Sequence, residues 1–279
     1  VNPSGVFADS SSELGQVVAA AALARDVYAD REEWIAQRRA AGWDHAELLG
    51  VGATQVGWAF GPEALVVVPR GSDDARDWLG NVQACLVPCP KQFGDGHIHA
   101  GFLRQLERVP PALYGILRDA MHALGERPVH VLGHSLGGGL APAIAFRLLA
   151  EGIRIAGVHL FGAPRLGDAA FAATYNRHGL GAVTRRFVRC QGGEADLVTR
   201  VPLSSAGYCH LGQVRLLEQV DSAWRLVAGE DAWQSYRARH PVSRLRALRV
   251  VSRLRRGARA HSAAGYAEAL AAIAANPKE

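Results

Sequence analysis

Gly133-His134-Ser135-Leu136-Gly137 sets a serine between two glycines, after the apolar run Pro128 to Leu132 and ahead of an apolar, helix-like stretch. A serine on a sharp strand-to-helix turn has its Oγ held clear of the backbone, and small neighbours let the chain make that turn. The hydroxyl then stands over the N-terminus of the following helix. The free N–H groups there can hold the negative charge that forms when an acyl carbonyl is attacked. This is acyl-transfer chemistry, and it needs a base to take the serine proton and an acid to orient the base. His134 is adjacent to the serine and points away from it, so its imidazole is expected to serve packing or orientation. In this arrangement the partners follow in the order serine, acid, histidine.

Asp168 and Asp196 are the main acid candidates, ahead of Asp221 and Asp231. Asp168 opens a helix-like stretch, where capping explains it without catalysis. Asp196 lies in Gly192-Gly193-Glu194-Ala195-Asp196-Leu197-Val198, a loop that follows a strand at the carboxyl edge of the sheet. Of the later histidines, His210 reads as mid-strand in Tyr208-Cys209-His210-Leu211-Gly212, a stiff place for a proton shuttle. His261 precedes the last helix on a loop able to reach Ser135, and is the favoured base.

The elements around these residues alternate. Ser10 to Ala40 reads as helix, and Gln55 to Phe60 and Ala64 to Val68 as strands joined at Gly61-Pro62. Gly101 to Leu124 reads as helix interrupted or kinked at Pro110-Pro111. Strands at Val129–Leu132, Ile155–Phe161 and Val183–Cys190 then alternate with helices at Leu136–Ala150 and Asp168–Asn176. That order predicts an α/β fold with a mostly parallel central sheet and helices on both faces. Tyr208 to Leu217 and Trp224 to Val227 predict a closing antiparallel pair, and Pro241 to Arg256 and Ala263 to Ala275 predict helices. With no repeat or linker, one domain is expected over 1–279.

The 279 residues, 49% apolar and 20% charged, are enough for a large core. No apolar run approaches the ~20 residues of a membrane span. The start Val1-Asn2-Pro3-Ser4-Gly5 has no signal-peptide pattern, so a cytoplasmic location is expected, or a secreted one if the start is processed. The four cysteines are expected as mostly buried thiols, with a Cys85–Cys89 or Cys190–Cys209 disulfide as the alternative; neither spacing suits zinc. The net charge of +5 is local: nine arginines fall between Arg237 and Arg259, and without them the chain stands at 5 − 9 = −4. No nucleic-acid partner is expected from one such element without a recognition module.

Several motifs together resemble the class 3 (fungal-type) lipases: Arg70-Gly71-Ser72, Asp77-Trp78, Asn81, His99-Ala100-Gly101-Phe102, Gly133 to Gly138, Gly162-Ala163-Pro164-Arg165-Leu166-Gly167-Asp168, Asp196 to Pro202, and His261 with Tyr266. The resemblance runs from about Leu65 to Leu270. It implies an α/β-hydrolase fold, an acyl-ester or lipid substrate, no cofactor and no metal. By position it makes Ser135 the nucleophile, Asp196 the acid and His261 the base. Ser72, with the backbone N–H of Leu136, takes the oxyanion role. It also implies a serine carboxylic-ester hydrolase acting through an acyl-enzyme. A phospholipase or thioesterase on the same triad, or an inert membrane-binding scaffold, are the alternatives. Residues 73–82 fall where the family carries its lid. Their charge predicts weak activation by lipid surfaces and a leaning toward soluble esters. Residues 237–259 form an arginine-rich helical insertion. Arg246, Arg249, Arg253 and Arg256 share one helical face, opposite Ala247, Leu248, Val250, Val251 and Leu254, so an anionic membrane surface is a candidate partner.

Overall fold

Runs such as Leu65-Val66-Val67-Val68 carry no polar alternation because both of their faces are covered, as expected of parallel strands packed between helices. The structure, a computed structural model, describes residues 5–8, 12–51, 54–71, 85–240 and 261–276. Ser72, the lid-like segment 73–82 and Arg246, Arg249, Arg253 and Arg256 lie outside the described residues.

The strands are β1 (His45–Val51), β2 (Thr54–Phe60), β3 (Leu65–Pro69), β4 (Leu86–Pro88), β5 (His97–His99), β6 (Val129–His134), β7 (Ile155–Phe161), β8 (Gly167–Asp168), β9 (Thr184–Gln191), β10 (Glu194–Ala195), β11 (Tyr208–Cys209), β12 (Gln213–Val220) and β13 (Ala223–Ala228). Among the described residues the main sheet runs β1-β2-β3-β6-β7-β9-β12-β13, with β10 on β9. Its five central strands, β3, β6, β7, β9 and β12, are parallel, and both flanks are antiparallel. The expected hairpin β2–β3 and closing pair β12–β13 are both present.

The helices are α1 (Glu13–Asp26), α2 (Arg31–Ala40), α3 (Ala100–Arg108), α4 (Pro111–Leu124), α5 (Ser135–Ala150), α6 (Ala169–Arg177), α7 (Leu180–Val183), α8 (Glu230–Arg239) and α9 (Ala263–Ala275). Strand alternation splits the core in two. Leu65, Val67, Val129 and Val131 face a layer that includes Phe102, Leu113, Ile144 and Phe171 of α3 to α6. Val66, Val68, Leu132 and Phe161 face Val17, Ala20, Leu23, Ala269 and Leu270 of α1 and α9. Helices therefore cover both faces, as the alternation predicts.

Two expectations, the single helix over Ser10 to Ala40 and the single strand over Tyr208 to Leu217, are corrected, the interruption at Pro110-Pro111 is borne out, and two elements are added. The single helix over Ser10 to Ala40 is two: Asp30 ends the break after α1 by capping α2, its carboxylate accepting from the Glu33 amide at 2.8 Å. Pro110-Pro111 separates α3 from α4 outright, with Pro111 at the first helical position. His45–Val51 adds an antiparallel strand to the sheet. Tyr208 to Leu217 is not one strand. Tyr208–Cys209 joins a small second sheet, β11-β8-β5-β4, while Gln213 begins β12. His210 is thus in a connection and not mid-strand. The last is Glu230–Arg239, a helix that takes in Arg237 and Arg239 from the arginine-rich stretch.

Candidate active site

The geometry starts at β6. Its six residues are all buried, and the chain leaves it into α5 through Ser135, whose φ of +57° is a left-handed conformation that a non-glycine residue adopts under strain. Gly137 permits the turn, because a Cβ there would lie 2.1 Å from the carbonyl oxygen of Pro69. The elbow thus rests on the carboxyl end of β3. Leu136, second in α5 and buried, has one of the amides that a helix start leaves without an intrahelical acceptor.

Asp196 is placed from β9. The strand turns back through β10, and the Asp196 amide donates to the Arg189 carbonyl at 2.8 Å. Only 1% of Asp196 is exposed. Its Oδ1 accepts from the Val198 amide at 2.9 Å, and its Oδ2 from the Tyr266 hydroxyl at 2.8 Å. The loop beyond it is clamped by Arg165, whose Nη1 donates to the carbonyls of Arg200 and Pro202 at 2.6 and 2.7 Å. Burial holds the Arg165 guanidinium down at about 10, still cationic at neutral pH.

His261 arrives just ahead of α9. Its Nδ1 lies 2.9 and 3.1 Å from the two Asp196 oxygens, and its Nε2 lies 2.8 Å from Ser135 Oγ. A carboxylate only accepts, so Nδ1 carries the proton and Nε2 is left to accept from the serine hydroxyl. Ser135 is 2% exposed and the His261 side chain 15%, so the relay is largely shielded from water. Gly162, at the end of β7, lines the pair, and a Cβ there would lie 2.5 Å from Asp196 Oδ2.

The rejected candidates have other work. Asp168 caps α6, accepting from the Phe171 amide at 2.8 Å, and pairs with His97 at 2.9 Å. Asp221, with φ +47°, turns the chain between β12 and β13, and Asp231 sits in the first turn of α8. His210 is half-buried beside Arg186 and Arg165, and loss of solvent followed by those charges holds its imidazole well below the ordinary histidine range. Its Nε2 has no hydrogen-bond partner among the described residues. All four cysteines are free thiols, with Cys89 and Cys190 buried. Among the described residues no group of three or more His, Cys, Asp or Glu could hold a metal.

A lipase (class 3) family model matches residues 66–206. The chain belongs to the class 3 lipase family. Among relatives of this class 3 lipase family member is the lipase of Rhizomucor miehei, 32% identical over 155 residues, 54% of this chain and 41% of that protein. Another is the secreted mono- and diacylglycerol lipase 1 of Fusarium solani, 32% identical over 146 residues, 52% of this chain and 41% of that protein. The chain thus spans about two fifths of the length of these curated relatives. The native Rhizomucor miehei lipase propeptide complex superposes with a TM-score of 0.65 at 24% identity, covering 80% of this chain and 74% of that one. That likeness gives the α/β-hydrolase fold. Ser135 and Asp196 fall inside the family match and His261 beyond it, so His261 is tied to the site by its distance to Ser135.

Two contacts were not legible from the sequence. Tyr266 was visible only as part of the family pattern, without a role, and its bond to Asp196 joins positions 70 apart. Tyr28 lies 106 positions before His134, and its hydroxyl is 3.1 Å from His134 Nδ1. No local signal marks either pair.

Proposed function

We propose that this class 3 lipase family member is a serine carboxylic-ester hydrolase, with Ser135 as nucleophile, His261 as general base and Asp196 as its orienting acid. The observation that carries the reading is the unbroken relay Oγ–Nε2, Nδ1–carboxylate, at 2.8 and 2.9 Å, presented on a strained turn. Ser135 Oγ adds to the ester carbonyl as its proton passes to His261 Nε2. The oxyanion is held by the Leu136 amide and, on the family pattern, by Ser72. Collapse expels the alcohol, which takes the proton from Nε2 and leaves an acyl-serine. Water then attacks the acyl carbon, its proton passing to Nε2. Release of the carboxylic acid returns that proton to Oγ. None of these steps calls for a metal or organic cofactor.

The relatives' names, lipase and mono- and diacylglycerol lipase, favour acylglycerols as the substrate class. We read 1–279 as one hydrolase domain with 73–82 as its lid. The arginine face Arg246, Arg249, Arg253 and Arg256 is read as a contact for anionic lipid, tested by salt-sensitive binding to anionic but not neutral vesicles. A fluorophosphonate probe should label the wild type and not Ser135→Ala, and that substitution should cost on the order of 10⁶ in kcat. A panel of acylglycerols, short-chain esters, phospholipids and thioesters then ranks the substrate classes. Labelling that persists in Ser135→Ala, or no turnover of any ester by the wild type, would refute the reading.

A further inference from the structure

His134, next to the nucleophile, has a partner at each ring nitrogen, and the reaction above makes no use of it. Its imidazole lies between Tyr28 on one edge and the backbone of His261 on the other. Nε2 contacts the carbonyl oxygen of His261, and Nδ1 lies 3.1 Å from the Tyr28 hydroxyl. The ring centroids of His134 and His261 are 4.7 Å apart, and Tyr266 closes the site with its ring centroid 5.9 Å away.

A carbonyl oxygen can only accept, so His134 Nε2 must carry a proton and donate it. A neutral ring then has its lone pair on Nδ1, where the Tyr28 hydroxyl can donate. The ring is 6% exposed. Burial first, then the neighbouring His261, holds its pKa down at about 3. The hydrogen-bond pattern and the environment therefore agree on one form, the neutral Nε2–H tautomer.

We infer that His134 is a positioning residue, a neutral strut that ties the main chain of the catalytic base to the strand carrying the nucleophile. The inference rests on the proposed triad. The strut runs from the Tyr28 hydroxyl through the His134 ring to the His261 carbonyl, whereas the imidazole of His261 is held separately by Asp196. Two anchors, one on the backbone and one on Nδ1, fix where Nε2 meets Ser135 Oγ. Fixing a residue from two sides is what keeps a reacting pair at near-attack distance. Neutrality is part of the role. When His261 takes the serine proton it becomes an imidazolium, and a charged ring at 4.7 Å would oppose that step.

The test compares His134→Leu with His134→Gln. Leucine fills much of the space but has no donor. Glutamine places an amide N–H near the position of Nε2 and can still reach the carbonyl. The strut predicts a fall in kcat of about 10- to 100-fold for His134→Leu with KM little changed, and recovery to within about fivefold for His134→Gln. Packing alone predicts the reverse order, leucine better than glutamine, and that order would overturn the inference, as would a wild-type kcat in His134→Leu. Nitrogen-15 spectra of the ring in the wild-type protein read the tautomer without any substrate. They should show a protonated Nε2, a bare Nδ1 and no titration between pH 5 and 9. The other tautomer, or titration in that range, overturns the strut even where a variant does not fold. If the wild type neither hydrolyses esters nor takes the fluorophosphonate, the proposed function fails, and the spectra still decide the tautomer.

Discussion

Replacing Gly162 with alanine probes how closely the sheet edge confines the proposed acid and base, Asp196 and His261. Gly162 follows β7 with φ +58°, and a Cβ there lies 2.5 Å from Asp196 Oδ2 and 3.1 Å from His261 Nδ1. Ordinary contact begins near 3.4 Å, so the carboxylate must retreat by about 3.4 − 2.5 = 0.9 Å. Oδ2 is held by Tyr266 at 2.8 Å and by His261 at 2.9 Å, and a shift of that size breaks at least one of these bonds. A misplacement of about 1 Å in a reacting constellation costs roughly 10²-fold. The expected result is therefore a kcat about 10²-fold lower, with KM within about threefold. The left-handed backbone adds roughly 1–2 kcal/mol of strain, a loss of about 2–8 °C in Tm. Initial rates on a soluble p-nitrophenyl ester, with active protein counted by fluorophosphonate titration well below the lowered Tm, separate the two effects. An alanine variant with wild-type kcat, or one that changes KM alone, would refute the reasoning.

Tyr266→Phe keeps the ring but removes the hydroxyl that donates to Asp196 and accepts from the Arg189 amide at 3.1 Å. Loss of about 1–2 kcal/mol of orientation should lower kcat about 5- to 30-fold, and steady-state kinetics with an unchanged kcat would contradict it. Arg165→Met keeps the stem and deletes both bonds to the Arg200 and Pro202 carbonyls. Chemical denaturation should show about 2–4 kcal/mol less stability, and a change below about 1 kcal/mol would count against the clamp. Stability should also fall with acid. Burial is the first cause of low pKa values at His134 and His159, both about 3, at His99, about 4, and at His210. Below the unfolded value near 6.5 the unfolded chain binds protons that these four folded imidazoles refuse. Each contributes roughly 1.4 kcal/mol per pH unit of lost stability from about pH 6.5 down to its folded value. Near pH 5 His134, His159 and His99 alone should account for uptake of about three protons on unfolding, and stability that is flat from pH 7 to 5 would sink this.

The parts of the fold legible in the sequence are those with long, strong patterns. β3 is an apolar run buried on both faces, β6 and β7 are mostly apolar and almost wholly buried, and α5 is apolar almost throughout because it is buried almost throughout. The second sheet escaped for the opposite reason. Strands of two or three residues, such as Gly167–Asp168 and Tyr208–Cys209, are too short to show a period of two and exist through tertiary contact. That is also why His210 was misread as mid-strand. The break between α1 and α2 did have a signal, Asp30 three residues before Glu33, the spacing of an N-cap. The surrounding alanine-rich pattern obscured it.

The site divides along a different line. Chemical type and chain order do not by themselves single out one histidine after Asp196, and they do not say what each nitrogen faces, which decides what an imidazole can do. His134 has Nε2 committed to a carbonyl and Nδ1 facing a tyrosine hydroxyl, so no nitrogen is available to the substrate. His210 is shut away among arginines that oppose its protonation. His261 alone of these three has one nitrogen on a carboxylate and the other on a serine hydroxyl. A base must gain a proton in one step and return it in the next, so it needs a partner that favours its charged form and a free lone pair toward the nucleophile. Among these three rings that pair of conditions is met once, and it is met by folding together positions 126 residues apart. Local sequence can nominate such a residue, but only the sheet that carries β6, β7 and β9 side by side can place it.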